Sequence, residues 1–338
     1  MSKILLIYTG GTIGMQRRAD GSLQPFDFGA VRRHIPELDL LDHRIDFTAF
    51  DRPVDSSDMM PERWAELAGI IRKNYDDYDG FVVLHGTDTM AYTASALSFM
   101  LENLSKPVVF TGSQLPIGDL RTDAKENIIT AVEIAGSYEK TKPRVPEVSI
   151  YFEYELLRGN RTVKYSSEHF NAFVSPNYPP LARAGVEIEF FPERIWPVSK
   201  GVFQVFDRLE TRVIPLKIFP GMRPEYFDVI FQYPQLRGVV LETYGSGNAP
   251  QLDWLDERIR RATGSGIKVV NVTQCAEGRV FPEKYATGKH LFEAGAIPGK
   301  DLTTEAALVK MMYLLGKGVS DKSFVRFMGQ SLRGELTE

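Results

Sequence analysis

Four side chains in the first half of the sequence could together break an amide or ester bond: Thr12, Thr87, Asp88 and Lys164. A threonine hydroxyl is a weak nucleophile until a base removes its proton, and a lysine becomes such a base when burial lowers its pKa towards neutrality. Asp88 could then balance the lysine or hold a substrate ammonium group. Backbone N–H groups near Gly11 or Thr87 could stabilise an oxyanion. These residue types therefore predict acyl transfer.

Each of these residues also has a plainer structural interpretation. Thr12 stands in the glycine-rich segment TGGTIG, where it could be no more than a turn residue. Asp88 or Thr89 could cap the helix that begins near Met90, which is worth about 1 kcal/mol. Lys164 ends a basic segment, RGNRTVK, and such segments are usually a solvated face or clamp the backbone. Because capping explains only one of the polar residues that follow the strand, the pattern favours a site.

Three other kinds of chemistry find little support in the residue pattern. No histidine lies in the G-x-S-x-G context of a serine hydrolase. The glycine-rich loop lacks the G-x-G-x-x-G spacing of a dinucleotide site. The histidines are scattered without an H-x-x-x-H or H-E-x-x-H pair, and they are His34, His43, His85, His169 and His290. We therefore expect neither a metal nor a cofactor.

Apolar runs of strand length precede the polar loops that carry these residues. In a parallel sheet the carboxyl ends of the strands meet at one edge, where open α/β folds bind their ligands. Thr12, Thr87, Gln114 and the pair Asp55–Ser56 all follow such runs. The strands predicted in this half are Lys3–Tyr8, Phe47–Phe50, Phe81–Leu84, Pro107–Thr111 and Glu147–Phe152, with helices from Pro61 to about Tyr75, from Met90, and from about Thr122 to Ala135. This alternation predicts a doubly wound sheet.

The sequence predicts two α/β domains, as the length of 338 residues suggests. Residues 1–190 should form the larger, catalytic domain with the doubly wound sheet, 191–212 an irregular link, and 213–338 a smaller C-terminal domain. The long polar connection Met15–Phe28 is typical of a lid. In the second domain we expect strands at Val213–Phe219, Gly238–Leu241 and Ile267–Val272, and helices near Glu225, over Trp254–Ala262, and from Thr303 and Ser320.

Composition favours a protein that binds a small or neutral ligand. The chain has 40 Lys and Arg against 44 Asp and Glu, without the dense basic cluster that a nucleic-acid face requires. The single cysteine, Cys275, excludes an internal disulfide, and residues 1–20 lack the layout of a signal peptide. The apolar run Ile4–Tyr8 is far too short to span a bilayer. We expect a cytoplasmic protein that binds neither nucleic acid nor a membrane.

Several segments together resemble the bacterial-type L-asparaginases. The combination of TGGTI with HGTDT is very specific, and the resemblance runs over nearly the whole chain, as far as Leu332–Glu335. The similarity is greatest to the cytoplasmic, type I branch. The segments are Tyr8–Gly14 (YTGGTIG), Asp55–Met59 (DSSDM), Leu84–Tyr92 (LHGTDTMAY), Thr111–Gln114 (TGSQ), Arg158–Lys164 (RGNRTVK) and Gly245–Pro250 (GSGNAP).

The resemblance implies a reaction and a set of catalytic residues. It implies hydrolysis of L-asparagine to L-aspartate and ammonia through an acyl-enzyme, without a metal or cofactor. Thr12 would be the primary nucleophile. The second catalytic group would consist of Thr87, Lys164 and Asp88.

The resemblance also implies how the substrate is held. Asp55 and Ser56 would bind its α-carboxylate and α-amino groups, with Asp88 sharing the ammonium, and Gln114 would shape the pocket. Asn248 would reach the site of a neighbouring subunit and complete it across a dimer. Two such dimers commonly form a tetramer in this family.

Two departures from the family pattern limit these implications. Many members have a lid tyrosine that hydrogen-bonds the nucleophile, yet Met15–Arg33 contains no tyrosine. Some cytoplasmic members have a second, regulatory asparagine site near the positions of Glu242–Gly245 and Thr273–Cys275. An arginine is expected there, and Glu242 reverses its charge, which should disfavour an incoming carboxylate. The sequence therefore predicts weak or absent activation by asparagine.

Two other functions remain open at the level of sequence. One is the ammonia-supplying subunit of a tRNA-dependent amidotransferase, and the other is an amino-acid sensor that kept the pocket without the reaction. The presence of Thr12, Thr87, Asp88 and Lys164 together argues against the sensor. The preference for asparagine over glutamine depends on the space of one methylene, about 1 to 3 kcal/mol, which residue spacing does not determine.

Overall fold

The computed structural model describes residues 1–17, 23–25, 34–281 and 286–338. The chain divides into two compact units, Met1–Asp207 and Arg208–Glu338. The connection for which the sequence predicts a lid lies mostly outside the described residues. Its described parts are two short strands, Met15–Arg17 and Leu23–Pro25, which pair in antiparallel fashion.

The first unit is a mixed α/β fold, as the sequence predicts. Its described helices are α1 (Pro61–Asn74), α2 (Met90–Met100) and α3 (Ala124–Gly136). Its described strands are β1 (Ser2–Tyr8), β2 (Met15–Arg17), β3 (Leu23–Pro25), β4 (His43–Ala49), β5 (Gly80–Leu84), β6 (Leu101–Glu102), β7 (Val108–Thr111), β8 (Tyr138–Glu139), β9 (Lys142–Pro143), β10 (Val148–Phe152), β11 (Glu155–Arg158), β12 (Val163–Lys164), β13 (Phe173–Val174), β14 (Ala182–Ala184), β15 (Ile188–Phe190) and β16 (Gln204–Val205).

Eight strands of the described chain form one sheet in the order β15-β14-β11-β10-β7-β5-β1-β4. From β4 to β10 neighbouring strands are parallel, whereas β11, β14 and β15 pair in antiparallel fashion. The chain goes from β1 outward to β4 and then returns to β5 on the other side of β1. This reversal opens a crevice at the carboxyl ends of β4, β1 and β5, where such sheets bind ligands.

Burial explains why these segments fold as they do. Residues Ile4–Tyr8 of β1 and all of β5 are buried, as expected for central parallel strands covered on both faces. Nearly every residue of α2 is also buried, in keeping with an apolar helix packed within the unit. The predicted strand at Phe47 begins earlier, at His43, because β4 is an edge strand. Most of its side chains are only partly buried, so its first half reads as polar in the sequence.

The second unit contains a smaller parallel sheet. Its strands are β17 (Val213–Lys217), β18 (Gly238–Thr243), β19 (Lys268–Thr273) and β20 (Ile297–Pro298), hydrogen-bonded in that order. Its described helices are α4 (Pro224–Phe231), α5 (Asp253–Gly264), α6 (Ala286–Glu293), α7 (Thr304–Gly316) and α8 (Asp321–Met328). Thr303 and Ser320 cap α7 and α8 with their hydroxyl groups, which explains the helix starts that the sequence predicts there.

A buried ion pair ties the end of the chain to α7. Lys310 and Glu335 are both fully buried, with Nζ 2.5 Å from Oε1. The lysine also donates to the carbonyl of Gln330 at 2.6 Å, and the carboxylate accepts from the N–H groups of Leu332 and Arg333. Burial lowers the pKa of Lys310, and the Glu335 carboxylate opposes that shift.

Replacing Lys310 by methionine should lower the free energy of unfolding by about 3 to 5 kcal/mol, because it leaves a buried carboxylate without its counter-charge. Adding Glu335→Gln should recover part of the loss, since the amide oxygen still accepts from the two N–H groups. The measurement is urea unfolding followed by circular dichroism. A Lys310→Met variant as stable as the native protein would contradict this account.

No helix in the described part of the chain is long and apolar enough to cross a membrane.

Candidate active site

Three loops meet at the carboxyl ends of β1, β4 and β5. Gly11 and Gly86 lie backbone to backbone, since a Cβ on Gly11 would collide with Cα of Gly86. Gly11 also has φ of +87°, a conformation that favours glycine. A Cβ on Gly86 would stand 2.5 Å from the hydroxyl oxygen of Ser56. The segments that contain Thr12, Ser56 and Thr87 are therefore held side by side.

Thr12 begins a single 3₁₀ turn, Thr12–Gly14, and is partly exposed. The turn rests on Tyr8, because a Cβ on Gly14 would collide with the Tyr8 hydroxyl. Burial raises the pKa of Tyr8 to about 12. Tyr8 is thus a neutral phenol beneath the threonine turn. Sequence reasoning missed it, since an apolar strand ending in tyrosine looks like ordinary core.

Lys164 connects the two polar residues that follow β5. Its Nζ donates to Oγ1 of Thr87 at 2.9 Å and to Oδ1 of Asp88 at 2.5 Å. The lysine side chain is 18% exposed and that of Asp88 is 60% exposed. In the cluster of Thr87, Asp88 and Lys164, the lysine is therefore sheltered while the Asp88 carboxylate faces solvent.

The basic segment that ends at Lys164 is not a solvated face. Arg158 and Arg161 are 3% and 2% exposed, and Arg158 forms a buried ion pair with Glu147 at 2.6 Å. Arg158 also donates to the carbonyl of Arg194 at 2.7 Å. The first residues of the segment thus anchor it in the unit, and the anchored segment directs Lys164 to the loop after β5.

Gln114 extends the cluster on the other side of Thr87. The Thr87 hydroxyl donates to Oε1 of Gln114 at 3.2 Å, and Nε2 of Gln114 donates to the carbonyl of His169 at 3.1 Å. The N–H of Gln114 donates to the carboxylate of Asp123 at 3.0 Å. Burial raises the pKa of Asp123. Sequence reasoning missed Asp123, which stands nine residues after Gln114 and holds it in place.

The loop after β4 reaches the same cluster. The Ser56 hydroxyl accepts from the N–H of Asp88 at 3.3 Å, and the Thr89 hydroxyl donates to the carbonyl of Ser56 at 2.6 Å. Thr89 therefore does not cap α2 with its side chain, so the plain capping interpretation is wrong for this residue. The exposed Asp55 accepts from the N–H and hydroxyl of Ser57 at 2.8 Å, and these bonds lower the pKa of Asp55.

Asn248 lies in the second unit, in the loop that follows β18. Its backbone pairs with that of Tyr244, with Asn248 N 2.8 Å from Tyr244 O and Tyr244 N 2.9 Å from Asn248 O. The Asn271 side chain donates to the carbonyl of Gly247 at 3.2 Å. The loop thus has a defined conformation within its own unit.

His85 supports the loop after β5 from inside the protein. The ring is fully buried and its Nδ1 lies 2.7 Å from the carbonyl of Gly86, while Nε2 has no hydrogen-bond partner among the described residues. Burial lowers the pKa of His85 to about 4. Because the neutral ring donates through Nδ1, it orients the peptide that leads into Thr87.

The depressed pKa of His85 predicts a loss of stability in acid. Between pH 6.5 and pH 4 this histidine becomes protonated in the unfolded chain while it stays neutral in the native state. The difference lowers the free energy of unfolding by about 3 kcal/mol by pH 4. His85→Asn, which can still donate to Gly86, should remove this part of the pH dependence. Urea unfolding of both proteins at pH 7 and near pH 4 measures it. Parallel losses in the two proteins would contradict the prediction.

Among the described residues, no group of three or more His, Cys, Asp or Glu side chains could hold a metal ion. The clustered groups are hydroxyls, an amide, an ammonium and carboxylates. Their arrangement suits acid–base and acyl-transfer chemistry on a small polar substrate.

Comparison with known families gives this arrangement a context. A model described as "Asparaginase, N-terminal" matches residues 3–196, and one described as "Glutaminase/Asparaginase C-terminal domain" matches residues 212–328. The chain belongs to the asparaginase family. The family resemblance that the sequence motifs predict is therefore confirmed.

Individual members of the asparaginase family match over the full chain. The chain is 43% identical to L-asparaginase 1 of Escherichia coli K12, covering 99% of this chain and 98% of that protein. The crystal structure of L-asparaginase I from Vibrio cholerae superposes with a TM-score of 0.92 at 41% identity, covering 100% of this chain and 99% of the other. One component of the glutamyl-tRNA(Gln) amidotransferase of Pyrococcus furiosus is 35% identical, covering 99% of this chain and 76% of that protein.

Proposed function

We propose that this member of the asparaginase family hydrolyses L-asparagine to L-aspartate and ammonia through a covalent acyl-enzyme on Thr12. The observation that carries the proposal is the Thr87–Lys164–Asp88 cluster, held beside the Thr12 turn by the contact of Gly11 with Gly86. A nucleophile, a proton-transferring lysine and loop N–H groups are what amide cleavage needs.

In the first step the Thr12 hydroxyl oxygen bonds to the carbon of the side-chain amide, the hydroxyl proton passes to the amide nitrogen, and the C–N bond breaks to release ammonia. The N–H groups of the glycine-rich loop around Gly11 stabilise the oxyanion that forms. Tyr8 stays protonated at neutral pH because burial raises its pKa to about 12. It therefore serves to support the turn rather than to act as an anionic base.

In the second step water attacks the ester on Thr12. Thr87 and Lys164 pass the proton of that water to the Thr12 oxygen as the ester bond breaks, which releases L-aspartate and restores the Thr12 hydroxyl; the contact of Lys164 with the Thr87 hydroxyl at 2.9 Å supports this transfer. Asp88 balances the lysine charge and is exposed enough to meet the substrate ammonium group. Gln114 fixes the orientation of the Thr87 hydroxyl.

Substrate binding uses the loop after β4. Asp55 is exposed and its pKa is lowered, so it carries a charge at neutral pH and can pair with an α-ammonium group. The Ser56 hydroxyl accepts from the N–H of Asp88, and this contact between the two loops supports a joint role in binding and proton transfer. We propose that Asn248 completes the site of a neighbouring subunit, that the protein is a dimer of dimers, and that it works in the cytoplasm.

The test is release of ammonia and aspartate from L-asparagine, measured beside L-glutamine over a wide concentration range. Equal amounts of ammonia and aspartate support the proposal. If the side-chain amide of L-asparagine is still intact after prolonged incubation at high protein concentration, the proposal is wrong. An amino-acid sensor would then explain the site better. The amidotransferase alternative is weaker, since identity is 43% to L-asparaginase 1 against 35% to the amidotransferase component.

The rate should follow a hyperbolic dependence on asparagine concentration. Glu242 stands where regulatory members would have an arginine, and burial together with the nearby Glu242 carboxylate raises the pKa of Glu305. A region that already crowds two acidic side chains disfavours an incoming carboxylate. Steady-state rates over a wide concentration range check this. A sigmoidal curve that becomes hyperbolic on mutating Glu242 would refute it.

A further inference from the structure

The peptide bond between Gly86 and Thr87 is held by the side chain of His85. Nδ1 of His85 lies 2.7 Å from the carbonyl oxygen of Gly86. Because a carbonyl oxygen only accepts hydrogen bonds, Nδ1 carries the proton of this bond. The His85 ring is fully buried, whereas Thr87 is partly exposed. The carbonyl end of this peptide therefore points into the protein.

The N–H end of the same peptide points the other way. A peptide bond is planar, and in its trans form the C=O and N–H groups lie on opposite sides of the C–N bond. The described chain has no cis peptide bond, so the Thr87 N–H is directed away from the His85 ring. Among the described residues no group accepts a hydrogen bond from this N–H. It is therefore available to a ligand, whereas the next N–H, that of Asp88, donates to the Ser56 hydroxyl.

The Thr87 N–H belongs to a backbone that contacts the turn of the nucleophile. A Cβ on Gly11 would lie 2.4 Å from Cα of Gly86 and 3.2 Å from the carbonyl carbon of His85. The chain that leads into Thr12 thus lies directly against the chain that leads into Thr87. When the Thr12 hydroxyl attacks an amide, negative charge develops on the carbonyl oxygen, and a backbone N–H aimed at that oxygen stabilises the charge.

Packing alone does not account for a histidine at position 85. Nε2 of His85 is buried and has no hydrogen-bond partner among the described residues. A buried polar atom without a partner lowers stability, and an apolar side chain of similar size would avoid that loss. The neighbouring ring of Phe110, with its centroid 6.0 Å from that of His85, is itself apolar and buried. The bond from Nδ1 to Gly86 is the feature of this site that requires a histidine-like donor.

We propose that His85 is a positioning residue that turns the Thr87 N–H towards the carbonyl oxygen of the scissile amide. The Thr87 N–H then joins the N–H groups around Gly11 in stabilising the oxyanion. This inference rests on the function proposed above, in which Thr12 attacks the substrate. Because the His85 ring is fully buried, it acts only through the peptide that it holds.

Replacing His85 by leucine should lower kcat for L-asparagine about 10- to 100-fold, which is less than the complete loss of an oxyanion donor costs. KM should change little, since the charge that the N–H stabilises develops only in the transition state. The measurement is ammonia release in the steady state. A native kcat in His85→Leu would overturn the proposal.

Two further variants separate the hydrogen bond from packing. His85→Asn keeps an N–H donor near the position of Nδ1 and should retain most of the native kcat. Phe110→Leu reduces the packing beside the ring while His85 stays in place, so its kcat should be close to native. If His85→Asn is as slow as His85→Leu, or if Phe110→Leu is, the effect comes from packing and the proposal is wrong.

A second readout follows the peptide itself in the absence of substrate. The sequence contains two Gly-Thr pairs, Gly11–Thr12 and Gly86–Thr87. Protein that is isotope-labelled at the glycine carbonyl carbon and the threonine nitrogen therefore gives two amide signals in a carbonyl-correlated NMR spectrum. Thr12→Ala removes one of them and so assigns both. His85→Leu should shift the Gly86–Thr87 signal, and Phe110→Leu should leave it in place.

The NMR readout separates this inference from the proposed reaction. If the native protein releases no ammonia from L-asparagine while the Gly86–Thr87 signal depends on His85, the proposed function fails. The catalytic part of this inference then fails with it, and the orientation of the peptide by His85 is supported. If ammonia is released and the signal stays in place in His85→Leu, the positioning role is overturned and the proposed function stands.

Discussion

Replacing Thr12 by alanine is expected to lower kcat for L-asparagine by about four orders of magnitude or more, because it removes the atom that carries the acyl group. Binding should survive, since the loops around Ser56 and Asp88 are held by contacts that do not involve Thr12. Thr12→Ser is the matched control, as it keeps the hydroxyl and should retain substantial activity. The measurement is ammonia release in the steady state.

A Thr12→Ala protein that retains native turnover would contradict the assignment of the nucleophile. Thr87→Ala should be run beside it, because the Thr87 hydroxyl is bound directly by Lys164 and is the other candidate. Accumulation of an acyl adduct in Thr87→Ala, detected by mass spectrometry on the peptide that contains Thr12, would separate the two roles.

Replacing Lys164 by methionine is expected to lower kcat by about two to four orders of magnitude, the range that proton transfer by a positioned side chain contributes. The methionine fills similar space but accepts no proton. Substrate binding should be retained, which an equilibrium titration with L-aspartate can show. Unchanged turnover would remove Lys164 from the mechanism.

The Lys164→Arg variant distinguishes two roles for the lysine, transfer of a proton and balance of the Asp88 charge. Arginine keeps a positive charge beside Asp88 and does not lose a proton in proteins. If Lys164 transfers a proton, the arginine variant should be about as inactive as the methionine variant. Recovery of activity with arginine would mean that the lysine only balances charge.

The parts of the fold that the sequence predicts well are those in which local pattern and burial agree. β1 and β5 are short apolar runs because they are buried on both faces, and the helix start at Ser320 follows from its capping hydroxyl. The position of the polar loops after these strands was also predictable from the sheet type. A parallel sheet brings the carboxyl ends of its strands to one edge whatever the loops contain.

The rest of the site depends on contacts between distant parts of the chain. Lys164 meets Asp88 across 76 residues, and periodicity within a segment does not determine such a pairing. Residue chemistry suggested Lys164 as a base for a threonine, and the family motif implied its place beside Thr87 and Asp88. Asp123 and Tyr8 support the site through other residues. Asp123 accepts from the Gln114 N–H, and Tyr8 packs against Gly14 in the turn that begins at Thr12.

Some elements were missed for a different physical reason. The strands β11, β14 and β15 are very short and pair in antiparallel fashion towards the sheet edge. The sequence therefore has no long apolar run at these positions from which to predict them. Helix α6 is also short, with eight residues, so its pattern gives little signal in the sequence.

The acyl-enzyme can be tested most directly by letting hydroxylamine compete with water during turnover. L-asparagine and the β-methyl ester of L-aspartate have different leaving groups and would form the same ester on Thr12. The account predicts one ratio of aspartyl hydroxamate to aspartate from both substrates at a given hydroxylamine concentration. A ratio that changes with the leaving group would mean that water attacks the substrate directly, and would contradict the covalent mechanism.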